Sequence, residues 1–344
     1  MKSLRKIFIM AVAAVAILGG IAAWLFFGSN TGFSDSKKVV YIKTGSGFTD
    51  VLAIFDENGI IKNSGTFKWL AAKMKYTEKV KPGKYTIEKG ASNYSMLKML
   101  RSGNQTPVNL TILKIRTKEA LIQKIAASFE SDSSQVAAVF NNPDTLAKMG
   151  LDSNTLLTAI IPNTYSFLWT NSPVKILKKL YADQEKFWTE ERKKKAASLN
   201  LTPKQVYTLA SIVEEESNID EDKGKIASVY LNRMEIGMKL GADPTVIFAV
   251  KDFTIKRVLN VHTQFQSPYN TYLYAGLPPG PICTPSVKSI DAVLNAPSTD
   301  YLFFVAQPNL TGYSNFATNY NQHMIYAKEY QQWLTGYLKA KATK

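Results

Sequence analysis

The hydrophobic pattern opens with one unbroken apolar run, Ile7 to Phe27, which carries no charge and is long enough to cross the roughly 30 Å hydrocarbon layer as a helix. Lys2, Arg5 and Lys6 precede the run, and no further positive charge comes before Lys37. The positive-inside rule therefore predicts a short cytoplasmic tail (1–6), a transmembrane anchor (7–27), and everything after about Gly28 outside the cytoplasm. No small-x-small site ends the run, which favours an uncleaved anchor over a signal peptide.

Beyond a polar joint at 28–38 the pattern shortens and alternates. A strand is predicted at Val39 to Ile42, then a helix opened by Thr49 and stopped by Gly59, and a second helix from Ser64 to Met74. A Pro-Gly turn feeds a strand ending at Ile87, Ser92 to Leu100 reads as a helix closed by Gly103, and Val108 to Leu113 alternates as a strand. Residues 39–115 thus make a small α/β module. Residues 116–200 form a helical connecting region. It holds two amphipathic helices within Thr117–Asn141, a segment Leu156–Leu168 broken at Pro162, and one long Lys-rich helix from Ser172 to Ala197 whose basic face reads as solvated surface.

The last block, 201–344, is a mixed α/β domain, and the chain as a whole is of the α+β class. Thr202, Pro203 and Gln205 spell a capping box, so a helix starting at Pro203 is expected. Its residues Val206, Leu209, Ala210 and Val213 form the core-facing stripe. Asp220 or Asp222 caps a second helix running to Met238, and Asp243-Pro244 opens a third. A Pro-, Gly- and Tyr-rich loop, Ser267 to Ser286, is too long to be an ordinary connection and suits carbohydrate, with flat aromatic faces among Asn and Thr side chains. Thr284-Pro285 then starts a helix to Ala296, followed by strands at Tyr301–Ala306 and around Tyr313–Ala317 and a polar helix from about Tyr320.

Charge narrows the choice of partners. A formal net charge of +15 suggests an anionic surrounding such as headgroups, wall polymers or nucleic acid. The chain lacks zinc-finger spacing and basic runs interleaved with aromatics, so nucleic acid is not expected. Two histidines, His262 and His323, argue against a multi-histidine metal site, and no metal or other cofactor is expected. The single cysteine, Cys283, sits in a Pro-rich turn with nothing local to activate it. Gly-x-Ser-x-Gly and phosphate-binding glycine motifs are absent, which leaves carboxylate chemistry.

Three consecutive glutamates end the helix that starts at Pro203. At about 100° per residue Glu215 points away from the core and reads as a solvated charge, whereas Glu214 and Glu216 fall on the two flanks of the core face. A half-buried carboxyl there has its pKa raised, as a general acid near neutral pH requires. Helix geometry alone does not choose between Glu214 and Glu216. A single working carboxyl could act first as acid and then as base if the nucleophile were a hydroxyl of the substrate itself.

Several motifs in this order resemble the YceG-like endolytic murein transglycosylases. They are PNTY (Pro162 to Tyr165), LASIVEEES (Leu209 to Ser217), IASVYLNRMEIGMKL (Ile226 to Leu240), DPT (Asp243 to Thr245), YNTY (Tyr269 to Tyr272) and GLPPGPI (Gly276 to Ile282). The resemblance implies a LysM-like module at 39–115, a catalytic domain at 201–344, and cleavage of the MurNAc–GlcNAc β-1,4 bond within glycan strands to leave 1,6-anhydro ends. It makes Glu214 the catalytic acid/base, with Glu216, Asn232, Arg233, Asp243, Thr245, Asn270 and Tyr272 binding substrate or supporting it. It further implies peptidoglycan strands as the substrate, a place in the cell membrane, and peptidoglycan synthases as partners to consider. Two stretches depart from the family's habit: KIRT (Lys114 to Thr117), where a Glu-Gly pair is common, and Cys283-Thr284 after Gly-Pro-Ile. The competing readings are a non-catalytic wall-binding or division-scaffold protein and a two-carboxylate muramidase.

Overall fold

The computed structural model describes residues 2–342. They form two compact units. The first takes the chain through Leu110 together with Ser128–Asp132 and Ser166–Ser172, and the second takes Thr111–Ala127, Ser133–Tyr165 and everything from Pro173.

The first unit begins with α1 (Lys2–Phe27), whose segment Arg5–Phe27 is long and apolar enough to cross a membrane and is not buried inside the protein. There follow β1 (Lys37–Ile42), α2 (Phe48–Glu57), α3 (Ser64–Lys73), β2 (Gly83–Glu88), α4 (Asn93–Ser102) and the start of β3 (Val108–Ile112), whose last two residues are counted with the second unit. Strands β1 and β2 pair antiparallel, Lys37 opposite Glu88 and Ile42 opposite Gly83. Their period of two sends Val40, Ile42, Tyr85 and Ile87 to one face, where Val51 and Phe55 of α2, Phe67 of α3 and Leu97 of α4 cover them. The cap of α2 is Gly47, not Thr49: the helix already includes Phe48, and the Asp50 carboxylate accepts from the Gly47 N–H at 2.7 Å. The stretch after α1 is no free joint either, since Ser29 bridges to Ser92 and Thr31 to Ile61.

The second unit holds α5 (Lys118–Ser128) up to Ala127, α6 (Ser133–Phe140), α7 (Pro143–Ala147), a 3-10 turn at Leu156–Ala159, β4 (Asn163–Phe167) up to Tyr165, α8 (Pro173–Phe187) and α9 (Glu190–Ser198). It continues through α10 (Pro203–Glu216), α11 (Asp220–Glu235), α12 (Asp243–Val250), α13 (Asn260–Thr263), α14 (Val287–Leu294), the antiparallel pair β5 (Phe303–Ala306) and β6 (Ser314–Ala317), and α15 (Tyr320–Ala342). The one long Lys-rich helix expected over 172–197 is two. Thr189 starts α9 by accepting from the Arg192 N–H, and the turn before it buries Trp188. No Pro or Gly marks that break.

Helix α10 is the core of this unit. The Thr202–Gln205 capping box forms as expected, with Pro203 in the first turn. Val206, Tyr207, Leu209, Ala210, Ile212 and Val213 are fully buried against α11, α14 and the loop ending at Ile282. Helix α11 starts at Asp220 with Ile219 as its cap, so neither Asp220 nor Asp222 caps it; Asp222 instead accepts from the Ser314 N–H at 2.7 Å and ties β6 down. Ser286, not Thr284, caps α14.

Candidate active site

The three glutamates at the end of α10 meet three different surroundings. Glu214 turns to the start of α14, where its Oε2 accepts from Ser286 Oγ at 2.6 Å, Ser286 N–H at 3.2 Å and Ser289 Oγ, with Lys223 Nζ at 3.6 Å. Burial alone would raise its pKa, but these hydrogen bonds and the Lys223 charge outweigh it and hold the carboxyl below its ordinary value.

Glu215 is not a solvated charge. Its side chain is only 11% exposed, because Lys114 and Arg116 lie over it: Lys114 Nζ at 3.0 Å, and Arg116 in a two-pronged contact through Nε at 3.2 Å and Nη2 at 2.8 Å. Burial pushes its pKa up, and the two cations bring it below the ordinary value.

Glu216 lacks a cationic partner of that kind. Its Oε1 accepts from Tyr230 Oη at 2.6 Å, and the carboxyl is otherwise desolvated beside other charges. Burial, opposed by the Tyr230 hydrogen bond and reinforced by Asp243, raises its pKa to about 7. Arg233, three residues beyond Tyr230 on α11, favours the charged form without overturning the shift. Arg233 itself is anchored to the Leu302 carbonyl at 2.7 Å and the Leu240 carbonyl, and it stacks over Phe303.

Asp243 opens α12 and accepts from Tyr272 Oη at 2.6 Å. Both act electrostatically on the same locus, since Asp243 raises the pKa of Glu216 and Glu216 that of Tyr272. Gly241 adopts a left-handed φ of +58° between Arg233 and Tyr272, with a side chain's first carbon predicted 3.7 Å from Arg233 Nη1. Glu216, Tyr230, Arg233, Asp243 and Tyr272 are thus one cluster.

The other expected site residues spend their polar atoms on architecture. Asn232 donates to the Thr299 and Tyr301 carbonyls, and fully buried Asn270 donates to the Thr263 and Phe265 carbonyls. Thr245, also fully buried, donates to the Ala242 carbonyl and meets Thr271 at 2.8 Å, pinning α12 to the Tyr-rich loop. Tyr230 is the group that sequence reasoning missed. It reads as one more core aromatic, and its only signal is a position one turn before Arg233.

The two departures from the family's habit meet one another. Thr284 donates to the Leu113 carbonyl at 3.0 Å and exchanges hydrogen bonds with the Ile115 backbone, so it fastens the segment that carries Lys114 and Arg116 over Glu215. Cys283 is fully buried there, and burial beside Glu215 pushes its thiol well above the ordinary value. The Cys283 thiol donates to the Ser211 carbonyl at 3.5 Å, while His262 Nδ1 accepts from the Leu259 N–H and His323 stacks on Phe303. Among the described residues no group of three His, Cys, Asp or Glu side chains could hold a metal ion.

Two cavities flank Arg116 and Phe248. One, of about 100 Å³, is lined by Glu215, Pro244, Phe253 and Ile282; the other, of about 210 Å³, by Asn154, Lys251, Tyr269 and Pro281. Both walls mix aromatic faces with hydrogen-bonding and cationic groups.

Residues 40–329 match the sequence model of the YceG-like family. The chain is 30% identical over 299 residues to the endolytic murein transglycosylase of Bacillus subtilis (strain 168), covering 80% of this chain and 81% of that one. It is 27% identical over 326 residues to the endolytic murein transglycosylase of Streptococcus pneumoniae serotype 2 (strain D39 / NCTC 7466), covering 84% of this chain and 58% of that longer one. Among solved structures it is similar to the crystal structure of a YceG-like protein from Listeria monocytogenes, with a TM-score of 0.55 and 26% identity over 84% of this chain and 99% of that one.

Proposed function

Because the chain belongs to the YceG-like family, we propose that it is an endolytic murein transglycosylase; the resemblance points to Glu214 as the acid/base, and we propose from the packing around the two flanking acids that Glu216 takes that role. The observation that carries the choice is the state of the two carboxyls. Burial, partly offset by the Tyr230 hydrogen bond, raises the Glu216 pKa to about 7, whereas the Ser286 and Ser289 hydrogen bonds and Lys223 outweigh burial at Glu214 and keep its carboxyl below the ordinary value.

The reaction follows from a single such group. Protonated Glu216 gives its proton to the oxygen that leaves C1 of MurNAc, and the Tyr230 hydroxyl stabilises the carboxylate left behind. That carboxylate then takes the proton of the same sugar's C6 hydroxyl as O6 bonds to C1. The glycosidic bond breaks, a 1,6-anhydro ring forms, Glu216 regains its proton, and no water is consumed. Holding the nucleophile within the substrate replaces the second carboxylate that a hydrolase uses to activate water. Asp243, fixed by Tyr272, keeps the proton on Glu216 before reaction and offers negative charge to the oxocarbenium-like transition state. Arg233 limits the shift. Asn232, Thr245 and Asn270 act by holding this arrangement in place.

The cavities beside Arg116, Phe248 and Tyr269, one of them lined by Glu215, supply flat apolar faces and hydrogen-bonding groups of the kind that hold sugar rings. The apolar helix α1 would tether the enzyme to the cell membrane by a single span, with its N-terminus in the cytoplasm, and the first unit would act as a LysM-like glycan-binding module. In that position the enzyme would meet strands as they are made and set their length beside the peptidoglycan synthases.

Digestion of purified glycan strands by the full chain in detergent tests the assignment. Mass spectrometry of the products should show anhydro ends for the wild type and for Glu214→Gln, and intact strands for Glu216→Gln. Loss of cleavage in Glu214→Gln with normal cleavage by Glu216→Gln would overturn it. Reducing ends in place of anhydro ends would instead mean hydrolysis, and intact strands with every protein a binding module.

A further inference from the structure

The end of the apolar helix is built into the folded unit that follows it. The Asn93 side chain, 1% exposed at the start of α4, donates to the Leu25 carbonyl at 3.2 Å and to Thr66 Oγ1 at 3.0 Å, and accepts from Asn30 Nδ2 at 2.7 Å. Asn30 in turn exchanges hydrogen bonds with the Asn63 backbone, and its own N–H donates to the Ala91 carbonyl. The last carbonyls of a helix have no partners within it, and a buried side chain that satisfies one of them fixes the helix direction. The aromatic contacts do the same: Phe26 stacks on Trp69 at 5.1 Å between ring centres, and Phe27 packs on Tyr94 at 5.3 Å. α1 and the unit through Leu110 therefore form one body.

That rigidity has a consequence for Trp69 and Tyr94. Both are large aromatics left open to solvent, at 52% and 39%, level with the last turn of the apolar segment. Each has a lysine one helical turn further on, Lys73 on α3 and Lys98 on α4, and the Lys73 ammonium lies 5.6 Å from the Trp69 ring centre. Trp and Tyr with neighbouring Lys are the side chains that settle at the boundary between hydrocarbon and headgroups, the rings at the ester level and the cations at the phosphates.

We propose that the α3–α4 face bearing Trp69, Lys73, Tyr94 and Lys98 lies in the headgroup layer of the bilayer that α1 crosses, so that the first folded unit is seated on the membrane in one orientation. The inference rests on α1 spanning a membrane. The partner is an anionic phospholipid surface, because the pairs are aromatic and cationic and because the face continues the apolar span.

Spin labels separate this from the spanning of α1. With Cys283→Ala as background, single labels are placed at Ile17→Cys, Lys73→Cys and Tyr94→Cys in the full chain, which is reconstituted in phosphatidylglycerol–phosphatidylethanolamine vesicles. Collision with lipid-soluble oxygen and with water-soluble nickel chelate is then measured. The label at 17 should be reached by oxygen and not by nickel, and those at 73 and 94 should lose nickel collisions several-fold relative to the same proteins in detergent-free lipid-poor buffer with the label digested free. If 17 is in lipid while 73 and 94 meet nickel as freely as the released label, the seating is wrong and the span stands. If 17 itself meets nickel freely, the span falls and the seating with it.

Discussion

The Tyr230 hydroxyl offers the sharpest test of which glutamate works. It donates to Glu216 at 2.6 Å and favours the ionised carboxyl, so Tyr230→Phe removes a stabilisation of the charged form only. A hydrogen bond to a charged group is worth about 1.5–3 kcal/mol. One pKa unit corresponds to 1.36 kcal/mol, so the low end of that range moves the Glu216 pKa upward by about one unit. In the proposed role Glu216 acts in its protonated form, so turnover in the wild type should fall as pH rises through about 7. In Tyr230→Phe that alkaline limb should lie about one unit higher, with a lower plateau because the carboxylate formed in the reaction has lost its donor. The assay is the rate of anhydro-end formation from glycan strands between pH 5 and 9. A limb that stays in place or moves down would refute the assignment of Glu216, whereas Glu214→Gln should leave the limb where it is.

Further outcomes follow from the same surroundings. The pKa of Glu216 is raised in the folded state from 4.5 to about 7, so folding loses stability as pH rises through that window; Glu216→Gln should therefore be more stable than the wild type at pH 8, by up to about 3 kcal/mol from the linkage relation, and melt at nearly the same Tm at pH 4. For Glu215 the sign is opposite. Its folded pKa is lowered by Arg116 and Lys114, so Glu215→Gln should cost stability at pH 7, on the order of 1–2 kcal/mol given the part-exposed cations, and the difference should fade in a melting series taken below pH 4.5. Thr202→Ala removes the cap of α10 and should cost about 1 kcal/mol, read as a fall in Tm of roughly 2–4 °C with cleavage retained.

The outline of the fold was legible where local chemistry decides it: the apolar span, the alternation of β1 and β2, and the Thr202–Gln205 box of α10 all stand where pattern places them. Misplaced features were set by neighbours far along the chain. The break between α8 and α9 follows from burial of Trp188 and carries no Pro or Gly to announce it. Glu215 points away from its own helix's core, as the helical repeat requires, yet a segment 99 residues earlier in sequence closes over it with Arg116. A helical wheel contains no information about that segment.

The same limit explains the two flanking acids. Glu214 and Glu216 are equivalent to a helical repeat, both at the margin of the buried face, and they part only when α14 presents two serine hydroxyls and Lys223 lies behind one, while α11 presents a phenol to the other. A carboxylate given three donors and a cation is stabilised as an anion; one given a single donor in a desolvated corner, with Asp243 nearby, keeps its proton to near neutrality. Residue type and spacing therefore bring acids to a site, and the packing of distant elements decides which of them can give up a proton. The departures at Lys114–Thr117 and Cys283–Thr284 fit that logic. They touch each other through Thr284 and act together on Glu215, so a variant at one should be felt at the other: Thr284→Val, which removes the hydroxyl joining Leu113 and Ile115, should raise the pKa of Glu215 by loosening its cations while leaving the alkaline limb of Glu216 unmoved.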